Sequence, residues 1–178
     1  SYSGGTVLRY GTIELGGNSI WKDDASGSAS VWRNGSLVAG NMVSGPIGTG
    51  TLNVANEGYL APYSSDPAIE SIRISNQLVF GARSFFKVGG SAKRLIMDTN
   101  TVSLRNGISD LEFNVGTNAI ASFESKLVDA GGNAGGLTKT GVGILELANK
   151  DNELSAGILV NAGTVKAVQY EYIYGIDG

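Results

Sequence analysis

Gly135-Gly-Leu-Thr-Lys-Thr-Gly-Val-Gly-Ile-Leu-Glu-Leu-Ala-Asn-Lys-Asp-Asn-Glu-Leu-Ser-Ala-Gly-Ile-Leu-Val-Asn-Ala-Gly-Thr-Val-Lys-Ala167 is the stretch from which the fold is read. Ile144-Leu-Glu-Leu147 alternates in polarity and is closed on its N-terminal side by Gly141 and Gly143, the pattern of a short strand set off by a glycine turn. The same pattern recurs at Thr6-Val-Leu8, Gly11-Thr-Ile-Glu-Leu15, Thr51-Leu-Asn-Val54, Ile72-Arg-Ile74 and Leu111-Glu-Phe-Asn-Val115. Gly, Asn, Ser and β-branched residues interrupt every window long enough for a helix, so no apolar stripe of helical period survives. The chain is expected to be all-β with little or no helix.

Strand and turn content alone leaves a sandwich, a barrel and a solenoid open. Internal repetition chooses among them. Ser155–Ala167 aligns without gaps on Ser3–Leu15, with identity at Ser3, Gly5, Gly11 and Thr12. Gly48-Thr-Gly-Thr-Leu-Asn-Val54 echoes Gly141-Val-Gly-Ile-Leu-Glu-Leu147. A recycled strand-turn-strand unit cannot bury its apolar side alone and must stack on its neighbours, which points to a solenoid.

Composition narrows the chemistry. The chain has 178 residues with 27 glycines, no cysteine, no histidine and a formal net charge of −3. Nucleophile pairs that need histidine, and zinc sites of the usual ligands, are excluded. The acidic balance argues against a general nucleic-acid partner, which needs a basic footprint. No apolar run is long enough for a membrane-spanning helix, so membrane insertion is not expected. Neither a basic nor an apolar leader segment opens the chain at Ser1, so the expectation is that any leader has been removed already or was never there.

Gly135–Ala167 resembles the passenger-associated repeat of bacterial autotransporters and related surface proteins, over about a fifth of the chain. The matching positions are Gly136, Lys139, Gly141, Gly143, Asn152, Gly157, Asn161 and Gly163. Weaker likeness extends to Pro46–Val54, and residues 3–15 look like the second half of a preceding copy. The resemblance implies a right-handed parallel β-helix (solenoid) exported to a prokaryotic cell surface or the extracellular space. No outer-membrane barrel pattern follows, so within that family the chain matches a passenger segment. Residues 1–167 are read as the solenoid domain, with repeat-like segments at 3–15, 48–54 and 135–167, and residues 168–178 as a tyrosine-rich strand or tail.

At roughly 20 to 25 residues per coil the chain is expected to form about seven to nine coils. A solenoid with uncapped ends exposes unpaired backbone groups that head-to-tail stacking satisfies, giving an open homopolymer. Tyr2, Gly5 and Gly11 at one end, and Tyr170, Tyr172 and Tyr174 at the other, are the candidate assembly interface. Arg73, Arg83, Lys87, Lys93, Arg94 and Arg105 form a basic run with Asp98 its one acid. The run is read as a solvated outer face, with the sharper alternative that it holds an acidic polysaccharide or an acidic neighbour. Asp23-Asp24 is read as a turn rather than a catalytic pair, because neighbours on a strand point to opposite sides. Asn34-Gly-Ser36 is a candidate glycosylation sequon. Phe80, Phe85, Phe86, Phe113, Phe123 and residues 95–97 are read as interior stacking, with no cofactor or metal implied. The expected function is a structural subunit of a cell-surface or extracellular filament, without catalytic activity. The alternative is an adhesin or autotransporter passenger fragment that binds glycans or a host surface.

Overall fold

Alternation gives each strand one wet and one dry side, and the dry sides must find one another. The computed structural model describes residues 3–33, 35–81, 83–86, 89–90, 92–104, 111–130 and 134–167, with backbone alone at 55–56, 83–86 and 89–90. The described chain is all-β, in several mostly parallel sheets, without any helix and hence without one long and apolar enough to cross a membrane. In order the strands are β1 (Thr6–Leu15), β2 (Ile20–Asp23), β3 (Ala29–Arg33), β4 (Ser36–Ser44), β5 (Leu52–Ser64), β6 (Ser71–Ile74), β7 (Leu78–Phe80), β8 (Arg83–Phe86) and β9 (Gly89–Gly90). There follow β10 (Arg94–Met97), β11 (Thr101–Leu104), β12 (Glu112–Val115), β13 (Ile120–Phe123), β14 (Lys126–Asp129), β15 (Gly136–Thr140), β16 (Ile144–Leu147), β17 (Gly157–Val160) and β18 (Thr164–Ala167).

The first sheet runs β1-β5-β8-β12-β15-β17, with β7 and β9 also on β5. The second runs β6-β10-β13-β16-β18, and β11 pairs with β14. All of these pairs are parallel. From one strand to its partner the chain advances roughly 20 to 30 residues, the span of one repeat unit, except between β1 and β5, where β2 to β4 intervene. Register aligns like with like. In the second sheet Ile72, Leu95, Ala121 and Leu145 form one inward row and Ile74, Met97, Phe123 and Leu147 the next, all buried. Phe80 meets Phe113 and Phe123 edge-on at 5.0 and 5.8 Å between ring centroids, and Phe113 stacks on Phe123 at 5.4 Å. These rings come from different sheets, so the sheets share one apolar core. Each such buried side chain contributes about 2 to 3 kcal/mol.

One expectation needs correction here. Among the described residues the longest run of paired parallel strands is six deep, not seven to nine. The reason is that β2, β3 and β4 leave the parallel arrangement and form a separate antiparallel sheet in the order β2-β4-β3. Residues 20–44 thus hold a separate sheet between β1 and its parallel partner β5. The antiparallel sheet docks on the parallel body through the Val31 to Thr99 bridge, the Trp32 amide donating to the Asp98 carbonyl at 2.8 Å, and the Arg33–Asp98 ion pair at 3.4 Å. Just before it, Ser19 donates its amide to the Arg73 carbonyl at 2.8 Å while the Asn18 Oδ1 accepts the Arg73 amide at 2.7 Å, covering one edge of β6.

Candidate functional site

Five of the residues that carry the repeat pattern, Lys139, Gly141, Gly143, Asn161 and Gly163, meet at one corner of the parallel body. Lys139 lies at the register of Phe113 in an inward row and is 0% exposed. Its Nζ donates to the carbonyls of Thr140, Gly141 and Ala162 at 2.6, 2.7 and 3.1 Å, and its own carbonyl accepts the Asn161 amide at 2.9 Å. One ammonium thus ties the turn after β15 to the turn after β17. Burial pushes its pKa below the ordinary lysine value. Gly163 closes the corner: its φ is 73°, and a Cβ there would stand 2.4 Å from the Gly141 carbonyl oxygen and 2.5 Å from that of Gly143. Only glycine meets both demands. Gly136 and Gly157 lie side by side in the β15–β17 pairing. Asn152 sits at a different corner, where its Oδ1 accepts the Leu127 amide at 2.8 Å and its Nδ2 donates to the Asn149 carbonyl at 2.7 Å.

On the outer side, charged groups pair between successive strands of the second sheet. Arg73 reaches Asp98 at 3.0 Å and Glu124 at 2.7 Å. Glu146 accepts from Arg94, from Ser122 at 2.7 Å and from Lys166 at 3.2 Å. Burial pulls Glu146 upward, but Ser122, Lys166 and Arg94 together outweigh it and hold the carboxyl below the usual glutamate value. Asp98 is the opposite case: burial pushes its carboxyl above the usual aspartate value in spite of Ser75, Arg73 and Arg33. The basic run is thus not a free cationic strip at Arg73 and Arg94: Arg73 is met by Asp98 within the run and by Glu124, and Arg94 by Glu146, further along the chain. Lys93 is exposed, and the side chains of Arg83, Lys87 and Arg105 lie outside the described residues.

The remaining candidates separate. Gly5 precedes β1, and Gly11 lies within it at φ 92°, matching the positive φ of Gly163 with which it aligns in sequence. The two like segments nonetheless occupy different places: β1 stays wholly in the first sheet, whereas Ser155–Ala167 divides between β17 in the first and β18 in the second. The likeness marks a shared local shape rather than a shared position. Tyr2, Tyr170, Tyr172, Tyr174 and Asn34 lie outside the described residues, so the candidate interface is seen only at Gly5 and Gly11. Asp24 is in a turn, its Oδ1 accepting the Ser26 amide at 2.9 Å and hydroxyl at 2.7 Å. Among the described residues no group of acidic side chains is placed to hold a metal ion.

Two edges define the candidate site. Among the described residues β1 pairs only with β5, and β17 only with β15, so the first sheet presents one outer strand edge at each extremity. Apolar side chains stand beside both: Val7 and Tyr10 are 59% and 72% exposed on β1, and Leu159 and Val160 are 44% and 47% exposed on β17. Strand edges of this kind add further strands through backbone hydrogen bonds. Asp129 and Ser155 went unnoticed in the sequence, yet Ser155 donates amide and hydroxyl to that carboxylate, 26 residues away. The signal that finds such contacts is complementary polar residues one repeat apart, as again at 27 residues for Lys126 and Glu153. Comparison with known proteins finds no family model, no curated protein and no solved structure that matches the chain.

Proposed function

We propose that the parallel sheets are the faces of one right-handed β-solenoid and that the chain is a structural subunit of an extracellular or cell-surface filament of a prokaryote, stacked head to tail. The observation that carries this reading is the pair of outer edges, on β1 and β17, at opposite extremities of one parallel sheet. Right-handedness follows from the strong preference of parallel crossover connections for that hand, and agrees with the likeness of Gly135–Ala167 to the autotransporter passenger repeat. An isolated edge is costly to leave bare in water-exposed apolar surroundings, and a heterologous contact that repeats without closing builds a fibre. Stiffness would come from backbone pairing along the axis and from the stacked apolar rows, without disulfide, metal or catalysis. Negative-stain electron microscopy of the purified chain tests this: filaments or short rods support it, and uniformly monomeric particles at high concentration overturn it.

A second reading, an adhesin or passenger fragment that engages glycans or a host surface, draws on the antiparallel sheet. Ile20, Leu37 and Val43 are 59%, 50% and 52% exposed there. Glycan-array binding by a strictly monomeric sample would favour it.

A further inference from the structure

Resting on the head-to-tail assembly proposed above, we infer that copies of this chain meet in one fixed register, with Tyr10 of each copy laid against Leu159 of the copy before it. The alignment follows from rows already built inside the molecule. Cα pairing links Tyr10, Glu57, Arg83, Glu112, Thr138 and Leu159 across the whole first sheet. The adjacent row links Gly11, Gly58, Ser84, Phe113, Lys139 and Val160 in the same way. Every step in both rows is parallel, so a second copy brought up by translation along the rows presents β1 to β17 with the polarity β17 already meets in β15. A copy related by a two-fold axis would present an antiparallel edge instead and break both rows.

Shape agrees with that register. Val160 stands in the row of buried Phe113 and Lys139 but is 47% exposed, because no described strand follows it. Its counterpart in the next copy is Gly11, where nothing lies within 4 Å of the place a Cβ would take, so the valine has room to enter. In the neighbouring row Tyr10, 72% exposed, covers Leu159, 44% exposed. An aromatic ring against a branched aliphatic chain on adjacent strands is a favourable cross-strand pair. The occupant is a second copy of this chain because the contact continues, strand for strand, the pairing between β15 and β17.

Tyr10→Arg and Leu159→Arg, each at a surface position, test the register by sedimentation velocity. Wild type should form species larger than monomer, and each variant alone should lose them, with an unchanged far-ultraviolet spectrum. An equal mixture of the two variants should form a heterodimer and nothing larger, because it holds one intact head and one intact tail. Should an arginine variant fold poorly, Tyr10→Ser and Leu159→Ser should raise the concentration needed for assembly at least tenfold. If wild type assembles but the single variants assemble equally well, or if the mixture stays monomeric, the register is overturned while the assembly reading stands. If wild type is monomeric at every concentration, both fail.

Discussion

The parallel body and the antiparallel sheet of β2, β3 and β4 solve the same problem in opposite ways. In the body every strand pair but β1–β5 joins strands roughly 20 to 30 residues apart, its inward rows are dry, and the buried side chains of Lys139 and Asn149 are met by the neighbouring strand or turn, although Asn76 Oδ1 lacks a partner. In the antiparallel sheet the partners are near in sequence, Val31 is the one apolar side chain that is fully buried, and both indole nitrogens lack acceptors. Long-range pairing is slow to find, because loop closure must precede the reward, but once made it excludes water from both neighbours. Local pairing forms readily and leaves half its surface wet. The body should accordingly hold the molecule's stability, and the antiparallel sheet should follow rather than lead.

The sharpest way to break this contrast is to hollow the body. Phe113→Ala removes a ring that touches Phe80 and Phe123, and should cost about 3 to 5 kcal/mol, whereas Leu37→Ala in the antiparallel sheet should cost less than about 0.5 kcal/mol; urea unfolding of both variants measures the difference. Next in size is Gly163→Ala, which forces a side chain into positive φ and against two carbonyl oxygens, for about 2 to 3 kcal/mol. Gly11→Ala meets the same φ with open space beside it and should cost about 1 kcal/mol.

Acid sharpens the contrast on the outer face. Glu146 has its carboxyl held down by partners from three strands, so its contribution is present above the ordinary glutamate value of 4.5 and is lost as pH falls through the lowered value of the folded state. Glu146→Gln should lower stability at neutral pH by about 1 kcal/mol and flatten the acid limb of the stability profile. Asp98, held up by burial, contributes with the opposite sign: its contribution is full below the ordinary aspartate value of 3.8 and is lost as pH rises through the raised value of the folded state. The smallest effect is optical. The chain has 2 tryptophans, Trp21 and Trp32, and both lie in the antiparallel sheet. Tryptophan fluorescence should therefore change at a lower urea concentration than the far-ultraviolet signal of the body; coincident transitions would show that the sheet does not open first.

Alternation in Ile72–Ile74 and Leu145–Leu147, and the aromatic interior at Phe113 and Phe123, were legible from residues alone, because a period of two is a local property. The special backbone at Gly11, inside β1, and at Gly163, in a turn, was legible for the same reason, the two sharing a positive φ as their sequence likeness suggests. What lay beyond reach was everything that depends on which strand comes next. Arg73 pairs with Asp98 within the run, but Glu124 and Glu146, the further acids on Arg73 and Arg94, are 51 and 52 residues away, beyond what a count of charges within one stretch includes. Asn34-Gly35 was read as a sequon, although that dipeptide between alternating apolar residues is also the strongest short signal for a hairpin, and β3 and β4 do form one around Gly35 at φ 77°. That hairpin takes β3 and β4 out of the parallel pairing, which is why the parallel run among the described residues is six strands deep against the expected seven to nine.

Because consecutive partners in the body are separated by a whole repeat, mechanical load pulls on the molecule in an unusual way. Tension applied to the C-terminal side of β18 would peel away one segment of roughly 20 to 30 residues before reaching the next, releasing roughly 65 to 105 Å of slack at each rupture. Such a material yields in equal instalments rather than all at once, and absorbs work over a long extension while the unpeeled remainder keeps its shape.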